Sequence, residues 1–301
     1  HNATLRYEAA VGGGIPLLST VSDGLVADDI TFVEGILNGT TNFILSKMAS
    51  EGAEFAEVLK EAQDLGYAEA DPTDDVEGFD VAYKLAILCA LTFGCQVHPD
   101  AIPRTGVTKV TAADFTYARH FGGSIKLLAS AELTETGDLI AQVAPTLILG
   151  QHRIATVDGV LNAVNFVGKY NTVGNFLSGE GAGRFATAAA IVSDMAAIAT
   201  GSGRDTRPTQ SINAVQTPTQ AYFLRFRVHD RPGILGQICS VFGEHDINID
   251  AVEQLGHQHG DAIHFALTTF PVESARFQQA LQQVSALDFN AEAPFVLPMR
   301  G

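Results

Sequence analysis

The segment Gly66-Tyr-Ala-Glu-Ala-Asp-Pro-Thr-Asp-Asp-Val-Glu-Gly-Phe-Asp-Val-Ala-Tyr-Lys84 carries six carboxylates from Glu69 to Asp80 and one amine at its end. Thirteen uncharged residues, 85–97, follow. On a helix Asp80 and Lys84 stand at i and i+4, so their side chains meet. An exposed pair at that spacing adds only about 0.2–0.5 kcal/mol to a helix, and acids at 74, 75 and 77 suit the positive end of a helix dipole. That much describes any solvated helix start. Two features point to chemistry instead. Ile87, Leu88 and Leu91 continue the Asp80–Lys84 stripe, which puts the pair at the end of an apolar face. A single local cation also answers six acids, and half-buried carboxylates are costly unless something cationic arrives. An amino-acid ammonium would satisfy them. A divalent metal is the rival, but residues 71–82 lack the EF-hand spacing and its glycine, and no histidine is near. A lysine held by a carboxylate can polarise a carbonyl and supply its proton.

Four other segments could position a ligand. Val11-Gly-Gly-Gly-Ile15 with Glu8 offers a carboxylate and turned carbonyls, a donor set for a hard, weakly bound cation or simply a tight turn. Gly35-Ile-Leu-Asn-Gly-Thr-Thr-Asn42 leads into a helix whose free N–H groups either receive a carboxylate or are capped by Thr or Asn. Ser178-Gly-Glu-Gly-Ala-Gly-Arg-Phe-Ala-Thr187 is a glycine turn that can pack on a nicotinamide or a phosphate, or merely start a helix. Asp230-Arg-Pro-Gly-Ile-Leu235 enters a helix tightly near Asn248, as a ligand loop or a structural one.

The elements that must hold these residues fall into two units. With 301 residues and 46% apolar content the chain can bury two cores. Residues 1–200 read as mixed α/β, with strands expected at 4–10, 31–38, 124–131, 139–144 and 153–157 and helices at 40–50, 55–65, 74–91 and 185–199. Residues 201–219 are rich in turn formers and read as a linker. Residues 220–301 read strand 222–228, helix 233–245, strand 247–254, a turn at 257–261, strand 262–270, helix 273–283 and strand 294–299. That βαββαβ order is a ferredoxin-like sandwich. The net charge of −16 excludes non-specific nucleic-acid binding and docking on anionic membranes. No apolar run reaches membrane-span length and no signal peptide is evident. Cys89, Cys95 and Cys239 form no CxxC pair and are expected reduced, with Cys239 in the core, in the cytoplasm.

Together these motifs resemble homoserine dehydrogenase over essentially the whole chain. The match is carried by Tyr7 through Pro16, Gly35 through Leu45, Gly66 through Pro72, Asp80 through Lys84, and Gly179-Glu-Gly-Ala-Gly183 with Thr187 and Asp194. The C-terminal unit resembles an ACT domain, an amino-acid-sensing module. The resemblance implies an α/β (α+β) catalytic domain over 1–200, with the last helix of the nucleotide-binding unit near 185–199, followed by an ACT domain over 220–301. It implies NADP- or NAD-dependent interconversion of homoserine and aspartate 4-semialdehyde. Lys84 would exchange the proton at the substrate oxygen, with Asp80 beside it. Glu69 and Asp75 would grip the ammonium, and Gly39, Thr40 and Tyr67 would line the substrate pocket. Gly183 and Gly66 would approach the cofactor. Glu8, Val11, Gly13 and Ile15 would hold a monovalent cation, sodium, three of them through backbone carbonyls. An amino-acid effector, threonine, would bind near Gly233, Leu235 and Asn248, and the protein would be a homo-oligomer. Two departures stand out. The family's N-terminal GxGxxG domain and its further lysine are not in this sequence, so the chain by itself is expected to bind NAD(P) poorly. Glu180 replaces the usual proline of the glycine turn, setting a negative charge near a cofactor phosphate. The other expectation is a non-catalytic, amino-acid-binding regulatory protein that keeps the fold.

Overall fold

The computed structural model describes residues 4–201, 210–212, 215–255 and 262–301. Among them the main elements, in chain order, are β1 (Ile30–Ile36), α1 (Gly39–Glu51), α2 (Phe55–Asp64), α3 (Phe79–Phe93), α4 (Ala112–His120), β2 (Gly123–Leu133), β3 (Leu139–Leu149), β4 (Leu161–Gly168), β5 (Asn175–Glu180) and α5 (Arg184–Thr200). A second unit continues with β6 (Tyr222–Val228), α6 (Ile234–Glu244), β7 (Ile249–Glu253), β8 (Ile263–Thr269), α7 (Ser274–Ser285) and β9 (Phe295–Arg300).

Strand β1 is buried over its last four positions, as a strand covered on both faces must be. It pairs antiparallel with β2 and β4, and the sheet continues as β7-β8-β6-β9-β3-β2-β1-β4-β5. Helices α1 and α3 bury Ile44, Leu45, Met48, Val81, Leu85 and Leu88 against Val33, Ile125 and Ala129 of that sheet. Burying a residue of this kind is worth about 1.5–3 kcal/mol, so the two helices that carry the chemistry-bearing residues are fixed by the main core.

The C-terminal unit has the expected βαββαβ order with its own core around Phe226, Phe242 and Phe277. It is not a bead on a string. Strand β9 pairs parallel with β3, Met299 against Leu147 and Arg300 against Ile148. Phe223 meets Phe121 edge-on at 6.1 Å. Across the same junction the Arg225 Nε donates to Asp114 Oδ1 at 2.7 Å, with the two side chains 5% and 0% exposed. The stretch between the units is also partly paired: Gln210–Ile212 lies parallel to Cys95–Val97, and Thr219–Gln220 pairs with Val272–Glu273. The turn expected at 257–261 lies outside the described residues.

Four local expectations need correction. Residues 4–10 are not a strand: Glu8–Ala10 is a 3-10 turn, because the Glu8 carboxylate accepts the N–H groups of Leu18 and Ser19 at 2.7 and 2.8 Å and ties the segment to the next turn. The helix expected over 74–91 is broken in two, Thr73–Val76 and α3, by Gly78 at φ 79°, a left-handed conformation that favours glycine. Residues 153–157 form a 3-10 helix, Arg153–Thr156, whose first turn is capped by the His152 ring accepting from the Ile154 N–H. Cys239 is exposed, since α6 buries Ile234, Ile238 and Phe242 on the opposite face. Cys89 and Cys95 are buried, and burial pushes the Cys89 thiol upward.

Candidate functional site

Strand β1 ends at Ile36, which leaves the Leu37 carbonyl unpaired by the sheet and facing α3. Lys84 Nζ donates to it at 2.9 Å and to Asp80 Oδ2 at 2.7 Å. The lysine and aspartate side chains are 21% and 31% exposed, so the pair is half-buried, as its apolar stripe requires. Asn38, the residue that caps α1, completes the arrangement. Its Oδ1 accepts the Thr41 N–H at 2.9 Å, while its Nδ2 donates to Asp75 Oδ1 at 2.7 Å and Asp80 Oδ2 at 2.9 Å. Capping by Asn is legible in a sequence; the reach of its amide to two carboxylates 37 and 42 positions away is not.

These groups open onto a cleft of about 810 Å³. Lys84, Asp80, Glu69, Asp75, Tyr67, Gly39, Thr40, Gly66 and Gly183, the residues expected to serve catalysis, substrate and cofactor, all line it. The Thr40 hydroxyl donates to the Tyr67 carbonyl at 2.7 Å, which ties the start of α1 to the 66–72 loop. A Cβ at Gly39 would stand 2.7 Å from the Val160 carbonyl oxygen, so only glycine lets α1 start this close to β4. Lining residues given no role of their own from sequence are Asn38, Leu65, Asp71, Asp74, Tyr83, Val160 and Asn162, besides Gly181 and Ala182 of the glycine turn. Asn162 is 1% exposed, and its buried Oδ1 accepts no hydrogen bond.

The cleft's electrostatics follow from its lining. Glu69, Asp71, Asp74, Asp75, Asp80 and Glu180 face it, and Lys84 is the single cation among its lining residues. Glu77, the remaining acid of the 69–80 run, points elsewhere and accepts from the Thr108 hydroxyl at 3.1 Å. Burial pushes the Asp75 carboxyl above its ordinary value, and the Asp80 charge adds to this; the Asn38 amide and Lys84 oppose it. A unit charge about 4 Å from one such carboxylate gains about 4 kcal/mol at the effective dielectric of a protein edge. The cleft can therefore receive a cation next to the Lys84 amine.

The glycine loop forms the neighbouring wall. Gly14 N–H donates to the Glu180 carbonyl at 2.9 Å, and a Cβ on Gly13 would stand 2.7 Å from the Gly181 oxygen. Glu8 donates its N–H to Asp194 of α5 at 2.9 Å. Glu8, Val11, Gly13 and Ile15 are all buried on this one loop. Among the described residues no group of three or more His, Cys, Asp or Glu side chains could hold a metal, so a cation here would rest mainly on carbonyls. Gly183 stands at φ 118° at the start of α5 with open space where a Cβ would be, and Gly66 is equally open. Both leave backbone surface for a flat ring to approach. Phe185, Val192 and Met195 of α5 are 77%, 63% and 64% exposed.

In the C-terminal unit Gly233, at φ 91°, precedes α6, and Leu235 in its first turn is 45% exposed. Asn248 leads into β7, and its carbonyl accepts the Phe270 N–H at 3.0 Å. No helix among the described residues is long and apolar enough to cross a membrane.

Comparison with known proteins adds an independent finding. The family described as homoserine dehydrogenase matches residues 16–196, and the ACT domain matches residues 222–289. A homoserine dehydrogenase of Neisseria gonorrhoeae is 38% identical over 301 residues, 95% of this chain and 68% of that protein. One from Pseudomonas aeruginosa is 39% identical over 299 residues, 94% of this chain and 68% of its own. The crystal structure of a homoserine dehydrogenase from Thiobacillus denitrificans superposes with a TM-score of 0.87 at 38% identity, covering 97% of this chain and 69% of that one. A hyperthermophilic archaeal homoserine dehydrogenase mutant in complex with NADPH is 27% identical, with a TM-score of 0.54 over 64% of this chain and 55% of that one.

Proposed function

This chain belongs to the homoserine dehydrogenase family and carries an ACT domain, and from that premise we propose that its acid-lined cleft performs the NAD(P)-dependent interconversion of L-homoserine and L-aspartate 4-semialdehyde. The observation that carries this reading is the Lys84–Asp80 pair, 2.7 Å apart, set among carboxylates that suit an ammonium. That pair also favours catalysis over the purely regulatory alternative.

Glu69 and Asp75 bind the substrate ammonium. Thr40, Gly39 and Tyr67 orient the rest of the molecule. Lys84 Nζ accepts or returns the proton of the reacting oxygen, and it is aimed by its two fixed acceptors, the Leu37 carbonyl and Asp80. A lysine whose three donors are two-thirds committed has one left for the substrate. The nicotinamide, when bound, supplies or takes the hydride. Gly183 and Gly66, open where a side chain would be, fit a flat ring. Glu180 works against a phosphate placed near it. Glu8, Val11, Gly13 and Ile15 would hold a monovalent cation, sodium, and thereby stiffen the loop that packs on 180–182. On this reading the reaction serves the synthesis of threonine, methionine and isoleucine, and the protein works in the cytoplasm as a homo-oligomer. Threonine at Gly233, Leu235 and Asn248 is the effector.

The test is direct. A protein in which this chain follows a family nucleotide-binding domain is incubated with homoserine and NAD or NADP, and reduced nicotinamide is followed by its near-ultraviolet absorbance. Turnover with homoserine supports the reading; no turnover with either cofactor defeats it. Calorimetry with threonine that gives neither heat nor a shift in melting would remove the effector assignment alone.

A further inference from the structure

We propose that Asn38 is a positioning residue for this reaction, whose single amide holds the ammonium-binding carboxylate and the lysine-holding carboxylate in one charged unit. The proposal rests on the roles given above to Asp75, Asp80 and Lys84. Its own ground is geometric. Asn38 is 5% exposed. Its orientation is fixed, because the Thr41 backbone N–H, 2.9 Å away, can only donate and so must face Oδ1. The Thr41 hydroxyl adds a second contact to the same oxygen at 3.0 Å. The opposite end is then Nδ2, and its two hydrogens are fully used: 2.7 Å to Asp75 Oδ1 and 2.9 Å to Asp80 Oδ2.

A helix cap alone needs only the oxygen. An amide nitrogen placed between two carboxylates does something a cap does not. It brings like charges from two separate helices close together and offsets their repulsion with a donor to each. Asp80 Oδ2 accepts from both Asn38 and Lys84, so the amide also sets where the lysine's partner stands. The charged groups that face this unit are Asp80 and Lys84 from α3, and Glu69, Asp71, Asp74 and Glu180 across the cleft. All but Lys84 are acids; at Asp75 the Lys84 charge and a hydrogen bond from the Thr40 hydroxyl act in the same sense as the amide, each less strongly. Asp75 lies where burial and the Asp80 charge both favour its neutral form, and the Asn38 hydrogen bond counters them.

Two variants separate positioning from capping. In Asn38→Asp the side chain still accepts from Thr41, but both donors are lost and a third carboxylate is added. In Asn38→Ser the hydroxyl still caps α1 but is too short to bridge the two acids. Each is assayed as the intact enzyme for kcat, KM for homoserine, the pH dependence of kcat/KM, and melting temperature. Loss of the donors lets Asp75 take up a proton at higher pH. The acid limb of kcat/KM therefore moves upward in both variants, with kcat/KM down by about ten- to a hundredfold. KM rises in Asn38→Ser, because a neutral Asp75 holds an ammonium poorly. A purely structural role would lower the melting temperature and leave the acid limb in place; that result overturns the proposal. Should neither variant fold, the wild type decides. Both Asn38 side-chain amide protons must shift in nitrogen-15 NMR as Asp75 titrates, and resonances that stay fixed overturn it. A wild type that does not oxidise homoserine defeats the functional reading instead, so the two failures are distinguishable.

Discussion

Replacing Lys84 tests the chemistry most sharply, because the same side chain has opposite effects on turnover and on binding. Lys84 is the single cation among the residues lining the cleft, against six carboxylates. A substrate ammonium is therefore attracted by the acids and repelled by this lysine. In Lys84→Met the proton donor is gone. Positioned proton transfer contributes about 10²–10⁴ in rate, or roughly 3–5 kcal/mol of barrier at 1.36 kcal/mol per tenfold, and kcat falls by that factor. KM for homoserine does not rise with it, since the cleft has lost a positive charge. Lys84→Arg separates the two roles of the amine. Arginine keeps the ion pair with Asp80 and so preserves the fold, but it does not give up its proton in a protein, and kcat stays low. The assay is steady-state oxidation of homoserine by NADP or NAD for all three proteins, with circular dichroism to confirm folding. A kcat for Lys84→Met within tenfold of the wild type, or an arginine variant that restores turnover, would refute the reasoning.

The other predictions address binding, pH and the joint between the units. Glu69 is solvent-exposed at the cleft mouth, so Glu69→Gln raises KM for homoserine by about tenfold, near the lower end for a charge-assisted hydrogen bond, and leaves kcat within a few-fold; a kcat loss larger than the KM change would contradict its assignment to binding. Glu34, 2% exposed, is paired with His152 at 3.1 Å and with Arg300 of β9 at 3.3 Å. Burial alone would raise its carboxyl, but the His152 hydrogen bond and the Arg300 charge outweigh burial and hold it below its ordinary value. A depressed carboxylate contributes stability that is present above its unfolded pKa and is lost as pH falls through the folded one. Urea unfolding across that acid range must therefore show a stability loss that Glu34→Gln flattens. Arg225→Met leaves the fully buried Asp114 without its cation and costs about 3–5 kcal/mol in urea unfolding; a loss below about 1 kcal/mol would mean the junction does not depend on that pair.

The sequence by itself determined which residue types meet at the cleft and most of the elements that carry them. Local rules suffice for that: the i, i+4 spacing of Asp80 and Lys84, the cap before α1, the amphipathic period of 55–65 and the βαββαβ rhythm after residue 220 all act within a few residues. The errors also fell where local pattern was overruled. Residues 4–10 have a strand's composition, but the Glu8 carboxylate found a helix start to cap. The acids before Asp80 look like one long helix start, but Gly78 turns the chain between them. Strands β4 and β5 went unassigned, although β4 supplies Asn162 and is paired with β1 along most of its length. Only the tertiary structure decided which of the 69–80 acids face the cleft and which, like Glu77, face away. Only it brought the Asn38 amide between Asp75 and Asp80, set the glycine loop against residues 180–182, and joined β9 to β3 so that the two units share a sheet. The physical reason is the same in each case. These contacts link segments tens to hundreds of positions apart, and such proximity is fixed by the packing of α1 and α3 on the sheet, which no local spacing encodes.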